Sequence, residues 1–137
     1  SPEALEVARR NAIRNGVTVH FQQVDALQES WPSLNIDVLV SNPPYITEKE
    51  RTDMERNVLD WEPELALFVP DNDPLLFYRH IARIGLDLLS PSGTLYYEIN
   101  RAYGAETVSL LQQLGYHSVE LRKDLSGNDR MVKAVKP

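Results

Sequence analysis

The sequence predicts an α/β layered domain with a mostly parallel β-sheet and a C-terminal antiparallel hairpin. The predicted elements alternate in the order helix, strand, strand, helix, strand, helix, strand, strand, which is typical of helices packed on a parallel sheet. Residues 36–40 are almost continuously apolar, as expected for a strand covered on both faces. Residues 124–128 form a short, turn-rich segment between the last two strands, which favours a hairpin.

Capping signals and apolar spacing predict the individual elements. Ser1 suits a helix N-cap, Pro2 suits the first helical turn and Gly16 suits the position after the helix, so the first helix is predicted from Pro2 to about Asn15. Further helices are predicted at residues 73–89 and 104–114, and strands at 17–21, 36–40, 94–99, 116–123 and 130–135. The long connection at residues 42–73 is expected to be functional because such connections are uncommon in compact domains.

Composition limits the possible functions. With 137 residues, the chain has room for one domain. Its 14 basic and 20 acidic residues give a net charge of −6, which argues against strong nonspecific binding to nucleic acid. The absence of cysteine excludes disulfides and thiolate zinc sites and fits a reducing compartment, so a cytoplasmic location is expected. No apolar run approaches the roughly 20 residues of a membrane span, and three scattered histidines indicate no metal site.

The most informative motif for function is Ser-Asn-Pro-Pro-Tyr at residues 41–45, which directly follows the apolar strand. In α/β sheets, ligands bind beyond the carboxyl ends of strands. Pro43 and Pro44 fix two φ angles and remove two N–H donors, so the Pro43 carbonyl lacks a strand partner and can face a ligand. Asn42 adds an amide oxygen, and Tyr45 adds a flat ring with a polar tip. A rigid turn is the simpler interpretation, but the position after a buried strand favours a ligand site.

These groups suit methyl transfer to a planar amide or amino nitrogen, whose delocalised lone pair makes it a weak nucleophile. Two acceptors that form hydrogen bonds with its two N–H groups would favour a pyramidal nitrogen with the lone pair directed outward. A stacked aromatic ring would fix the direction of approach. Asn42, Pro43 and Tyr45 are therefore the predicted catalytic residues, and the interpretation requires neither a metal nor a separate acid–base pair.

Five segments, in the same order, resemble the HemK-type protein-(glutamine-N5) methyltransferases, which modify peptide chain release factors. They are Ser-Pro-Glu-Ala-Leu at residues 1–5, Ser-Asn-Pro-Pro-Tyr-Ile at 41–46, Glu-Pro-Glu-Leu-Ala-Leu at 62–67, Gly-Thr-Leu-Tyr-Tyr-Glu-Ile at 93–99 and Asp-Leu-Ser-Gly-Asn-Asp-Arg at 124–130. The resemblance spans essentially the whole chain. Asn-Pro-Pro-Tyr is shared with adenine-N6 methyltransferases, whereas the third and fifth segments are more specific to the glutamine enzymes.

The resemblance implies a Rossmann-like class I methyltransferase fold, S-adenosylmethionine as cofactor and a release factor as protein partner. It implies that Asn42 and the Pro43 carbonyl bind the glutamine amide, and that Pro44 and Tyr45 complete the substrate-binding segment. Glu62 is expected to order the substrate loop, with a surface Glu-Pro turn as the alternative.

Cofactor contacts are implied for Asn42 and for Asp25, which matches a family residue near the adenine; a solvated loop carboxylate is the alternative for Asp25. Glu98 could lie near the site, although a structural role is favoured. The family's glycine-rich loop and first strands are expected upstream of Ser1, so residues 1–137 are interpreted as a partial catalytic domain truncated at its N-terminus. We expect this piece alone to bind the cofactor weakly or not at all and to be inactive. Asn100 stands where the family usually has glycine.

Two other functions remain open. The first is methylation of an adenine amino group in a nucleic acid, for which a basic loop beside the motif would be expected. Residues 48–56 instead carry four acidic and three basic side chains, which favours a protein partner. The second is a noncatalytic binding or structural module that retains the fold, since a fold alone does not imply a function.

Overall fold

The computed structural model describes residues 1–28, 31, 34–54 and 56–137, and the chain forms two compact units, Ser1–Trp31 and Pro32–Pro137. The helices are α1 (Pro2–Arg14), α2 (Arg56–Trp61), α3 (Glu64–Leu67), α4 (Leu76–Leu88) and α5 (Gly104–Gln113), with short 3-10 helices at Glu48–Asp53 and Arg101–Tyr103. The strands are β1 (Ile36–Ser41), β2 (Ile46–Thr47), β3 (Phe68–Val69), β4 (Leu89–Glu98), β5 (His117–Lys123) and β6 (Asp129–Val135). Among the described residues, none of these helices combines the length and the apolar character needed to cross a membrane.

The first unit confirms the predicted helix but not the strand after it. The Ser1 hydroxyl accepts a hydrogen bond from the main-chain N–H of Ala4 at 3.2 Å, as expected of an N-cap. Residues 17–25 have no regular secondary structure. The prediction of a strand at 17–21 is therefore wrong. Alternating apolar residues indicate which side chains can share a face, but a strand also needs a hydrogen-bonded neighbour, and none pairs with this segment within the described residues.

The second unit contains a four-stranded sheet in the order β1-β4-β6-β5. β1 runs parallel to β4, whereas β6 is antiparallel to both β4 and β5. In this four-stranded sheet one of the three pairings is parallel, so the prediction of a mostly parallel sheet does not hold for it. The physical reason is that the second strand of the final β5–β6 pair lies beside β4, which places an antiparallel strand inside the sheet.

The two faces of this sheet differ in burial. Helices α4 and α5 cover one face, and the apolar core lies between them and the strands. Its buried side chains include Tyr78, Ile81, Leu89, Leu95, Tyr97, Ile99, Leu111, Tyr116 and Val132. On the opposite face, Val38 and Val40 are 55% and 72% exposed. The prediction that β1 is covered on both faces is wrong, because an apolar sequence permits burial but does not provide the covering element.

Two segments have structure that the sequence pattern did not predict. Ile36 pairs with Leu89 and Val38 pairs with Thr94, so β4 accommodates three extra residues in a bulge. Residues 90–93, which lie between the predicted helix and the predicted strand, form this bulge. The connection at residues 42–73 contains β2 and β3, which pair in parallel over two residues each. Strands this short carry no alternating pattern that could predict them.

We predict that two substitutions lower the free energy of unfolding by different amounts. Both remove apolar groups from neighbouring strands, but on opposite faces of the sheet. Leu95 is 1% exposed and packs in the core, so Leu95→Ala should lower the free energy of unfolding by about 2–5 kcal/mol. Val40→Ala should cost less than about 1 kcal/mol because the side chain already faces solvent. Urea denaturation followed by circular dichroism measures both values. Equal losses would contradict the assignment of the two faces.

Candidate methyl-acceptor site

The predicted motif lies where two neighbouring strands end. Ser41, the last residue of β1, pairs with Tyr97, one residue before the end of β4. Because the two strands are parallel, their carboxyl ends meet at the same edge of the sheet. Asn42 and the residues after it therefore leave the sheet beside Glu98. This is the edge at which the sequence predicts a ligand site.

Tyr45 is fixed through its hydroxyl, which donates a hydrogen bond of 2.8 Å to Glu98 Oε1. Burial raises the pKa of the Tyr45 hydroxyl to about 12, and the hydrogen bond and the negative charge of Glu98 add to the effect. The hydroxyl consequently keeps its proton at neutral pH and serves as a donor. Glu98 thus lies at the site and holds the tyrosine by its polar end, which is the structural role favoured for it.

A small pocket of about 100 Å³ opens beside the motif. Its lining residues are Asn42, Pro43, Tyr45, Ile46, Ala66 and Leu67. The pocket therefore brings together two segments that are far apart in the sequence, the Asn-Pro-Pro-Tyr motif and the end of the Glu-Pro-Glu-Leu-Ala-Leu segment. Pro43 is buried, whereas Asn42 is exposed, so its amide is accessible to a ligand. A second pocket, of about 500 Å³, extends from Asn42 along the exposed face of the sheet.

Two other predicted site residues lie elsewhere. Glu62 is exposed just after α2, its main-chain N–H donates to the Val58 carbonyl at 3.0 Å, and it does not line the small pocket. Asp25 belongs to the first unit and is also exposed. Its Oδ1 accepts a hydrogen bond from the N–H of Leu27 at 2.9 Å, so a local turn orients the carboxylate.

Glu50 is a residue of the site that the sequence analysis did not single out. Its carboxylate accepts hydrogen bonds from the N–H of Thr47 at 2.9 Å and from the Thr47 hydroxyl at 2.8 Å. Although burial acts to raise the pKa of Glu50, these bonds and one from Asn100 lower it below its ordinary value. The available signal was the spacing of Thr47 and Glu50, since Thr-x-x-Glu at the start of a helix is a capping pattern. Glu50 therefore holds the chain that follows the motif.

The Asp-Leu-Ser-Gly-Asn-Asp-Arg segment supports the site from the neighbouring hairpin. Asp124 Oδ1 accepts hydrogen bonds from the N–H groups of Ser126 and Asn128, which closes the turn. Arg130 Nη1 donates to the carbonyl of Ile99 at 3.3 Å. Arg130 Nε donates to Asp124 Oδ2 at 3.4 Å. The hairpin is thereby attached to the end of β4, directly after Glu98. Within the described part of the chain, no three His, Asp or Glu side chains are grouped so that they could hold a metal ion.

Comparison with known sequences shows what this chain is related to. A family model described as "Methyltransferase small domain" matches residues 1–60. Over 135 residues, or 98% of this chain, the sequence is 50% identical to a release factor glutamine methyltransferase from Bacteroides thetaiotaomicron, 49% of which is covered. A release factor glutamine methyltransferase from Flavobacterium psychrophilum is 46% identical over 133 residues, covering 97% of this chain and 47% of the relative.

The chain is a relative of the release factor glutamine methyltransferases. The resemblance expected from the five sequence segments is thus confirmed. The chain spans about half the length of the curated relatives it matches. Among solved structures, a methyltransferase from Pyrococcus furiosus superposes with a TM-score of 0.63 at 19% identity, covering 99% of this chain and 59% of that chain. This likeness shows an α/β methyltransferase fold.

We predict that Glu98→Gln lowers the pKa of Tyr45 from about 12 toward its ordinary value of 10.0, because the negative charge that favours the protonated hydroxyl is lost. Tyrosinate absorbance, recorded against a Tyr45→Phe variant to isolate this residue, measures the pKa. Glu106→Gln, which removes an exposed carboxylate from α5, serves as the control and should leave the titration unchanged. A Tyr45 pKa unaltered by Glu98→Gln would contradict the proposed contact.

Proposed function

We propose that the protein transfers a methyl group from S-adenosylmethionine to the side-chain amide nitrogen of a glutamine in a peptide chain release factor. The observation that carries this proposal is the small pocket at the ends of β1 and β4, lined by Asn42, Pro43 and Tyr45. It occurs in a chain that is 50% identical to a protein described as a release factor glutamine methyltransferase. Such a substrate would place the reaction in the cytoplasm.

The chemistry assigned to this pocket is positioning of a weak nucleophile. The Asn42 amide oxygen and the Pro43 carbonyl are proposed to accept hydrogen bonds from the two N–H groups of the glutamine amide. As the nitrogen forms a bond to the methyl carbon, the bond between that carbon and the donor sulfur breaks and the nitrogen becomes positively charged. Both oxygens then stabilise it more strongly than they stabilise the neutral amide, and the nitrogen finally loses one N–H proton to solvent. The ring of Tyr45, held through Glu98, encloses the planar amide together with Pro44. When bound, S-adenosylmethionine supplies a methyl group already activated by a sulfonium.

The residues proposed for the cofactor have suitable chemistry. An exocyclic amino group on adenine is a hydrogen-bond donor, and the Asp25 carboxylate is an exposed acceptor whose orientation is set by its bond to Leu27. Asn42 is proposed to contact the cofactor as well as the acceptor amide, since its side chain is exposed at the end of β1. We propose that Glu62 contributes to ordering the substrate loop.

The charges near the pocket support a protein substrate over a nucleic acid. Arg51 forms ion pairs with Glu48 at 3.0 Å and Glu64 at 2.8 Å, and its guanidinium lies 4.2 Å from the centre of the Phe68 ring. Its positive charge is therefore neutralised within the protein instead of being presented to a phosphate backbone. Glu50 places a further negative charge in the same segment; Glu55, included in the charge count, lies outside the described residues.

Binding of the cofactor distinguishes an enzyme from a noncatalytic module. Calorimetric titration of the full-length protein with S-adenosylmethionine should give saturable heat at one site. Absence of saturable binding to the full-length protein would contradict the proposed enzymatic function.

We predict that Asn42→Ala in the full-length protein lowers methyl transfer to a release factor by about two to three orders of magnitude, by analogy with the loss of one preorganised polar contact in a transition state. Cofactor affinity should change little, because most cofactor contacts are expected outside Asn42. Single-turnover assays with labelled S-adenosylmethionine measure the rate, and Asn72→Ala, at an exposed asparagine, is the matched control. Turnover within a few-fold of the unsubstituted protein would refute the role of Asn42.

A further inference from the structure

Asn100 lies just after β4 and is buried, with an exposure of 4%. Its side-chain amide nitrogen lies 3.0 Å from the main-chain carbonyl oxygen of Tyr45 and 3.1 and 3.0 Å from the two carboxylate oxygens of Glu50, and can donate to both groups. Its side-chain oxygen accepts from the N–H of Ala102 at 2.9 Å, and its own main-chain N–H donates to the Tyr78 hydroxyl at 3.1 Å. One residue thus connects the end of β4 to the chain that follows the Asn-Pro-Pro-Tyr motif.

In this chain, Asn100 provides an attachment that the prolines of the motif cannot provide themselves. Pro43 and Pro44 have no N–H groups, so this part of the chain cannot be held by a strand ladder. Tyr45 is instead held at two points, its hydroxyl by Glu98 and its carbonyl by Asn100. Glu98 is the last residue of β4, and Asn100 follows it by two residues. Two attachments on one rigid element fix both the position and the direction of the tyrosine ring.

We propose that Asn100 is a positioning residue of the methyl-acceptor pocket. Its side-chain N–H donors hold the Tyr45 carbonyl and the Glu50 carboxylate, and in this way they keep the wall formed by Tyr45 in the geometry that the acceptor amide requires. This inference rests on the proposed function for its catalytic consequence, but the attachment itself is a property of the structure. This attachment depends on the N–H donors of the Asn100 side chain and not only on the volume of that side chain.

A simpler role would be that Asn100 only caps the 3-10 helix Arg101–Tyr103. That role uses the side-chain oxygen, which bonds to Ala102, and an aspartate caps a helix equally well. Capping leaves the side-chain nitrogen and its two acceptor groups unexplained. Asn100→Asp therefore separates the two roles, since it keeps the shape and the cap but replaces the donor with a carboxylate. Charged groups around this position are Glu50, Glu98, Arg101 and Arg130.

The first test is amide hydrogen exchange of this chain, measured residue by residue by NMR. In Asn100→Asp the new carboxylate faces Glu50 and the Tyr45 carbonyl, so exchange at Ile46 and Thr47 should accelerate roughly tenfold or more, while exchange at Val132 in the core should not. Asn11→Asp makes the same chemical change at an exposed position of α1 and should have no such effect. Unchanged exchange at Ile46 and Thr47 would overturn the proposal, and so would equal acceleration throughout the second unit.

The second test is rescue by exchanging donor and acceptor. In the double variant Glu50→Gln with Asn100→Asp, the glutamine amide can donate to the aspartate while its oxygen still accepts from Thr47. Exchange at Thr47 should then return at least halfway, on a logarithmic scale, to that of the unsubstituted chain, whereas Tyr45 still lacks a donor for its carbonyl. A space-filling role for Asn100 predicts no such rescue, and its absence would overturn the proposal.

The third test uses methyl transfer by the full-length protein. Asn100→Asp should lower kcat roughly tenfold or more with little change in S-adenosylmethionine affinity, and the double variant should recover part of the loss. If exchange responds as expected but kcat does not, the positioning role is refuted. If the unsubstituted protein methylates no release factor, the proposed function fails, while the exchange measurements still decide whether Asn100 holds the loop.

Discussion

The parallel pairing of β1 with β4 is the constraint on which the rest of the site depends. It brings the end of β1, where the chain turns into Asn-Pro-Pro-Tyr, beside the end of β4, where Glu98 and Asn100 follow each other closely. The prolines keep the motif out of the sheet, and the polar side chains at the end of β4 then provide the hydrogen bonds that a strand ladder would otherwise supply. A rigid backbone segment beside a strand end is the result.

The rigidity of this edge originates in the core beneath it. The Tyr97 hydroxyl donates to the main-chain carbonyl of Tyr78 at 2.9 Å, and the two rings pack edge to face at 5.3 Å. The Tyr78 hydroxyl in turn accepts from the N–H of Asn100, so helix α4 is connected to the site through buried hydrogen bonds. Burial makes these bonds costly to break, because an unpaired buried group loses its solvation without compensation. Tyr78 and Tyr97 thus stabilise the site as well as the fold.

The sequence was sufficient for the parts of the fold that depend on local signals. Caps and apolar spacing predicted α1, α4, α5 and most of the strands. The Asn-Pro-Pro-Tyr motif was predicted as the site because it follows an apolar strand and combines two hydrogen-bond acceptors with an aromatic ring. Features that depend on tertiary neighbours were not predictable, such as the antiparallel position of β6 and the exposed face of β1. Glu50 had a local capping signal in Thr-x-x-Glu, but its contact with Asn100, which lies 50 residues away in the sequence, was not predictable.

We propose that the pocket beside Tyr45 holds a glutamine amide and directs methylation to its nitrogen. Mass spectrometry of a release factor incubated with the full-length protein and isotopically labelled S-adenosylmethionine tests this directly, because fragmentation locates the added methyl group on one side chain. We expect a single labelled methyl on a glutamine amide of the release factor and no label in adenine-containing nucleic acid supplied in parallel. Label on the nucleic acid alone, or on a side chain other than glutamine, would contradict the account.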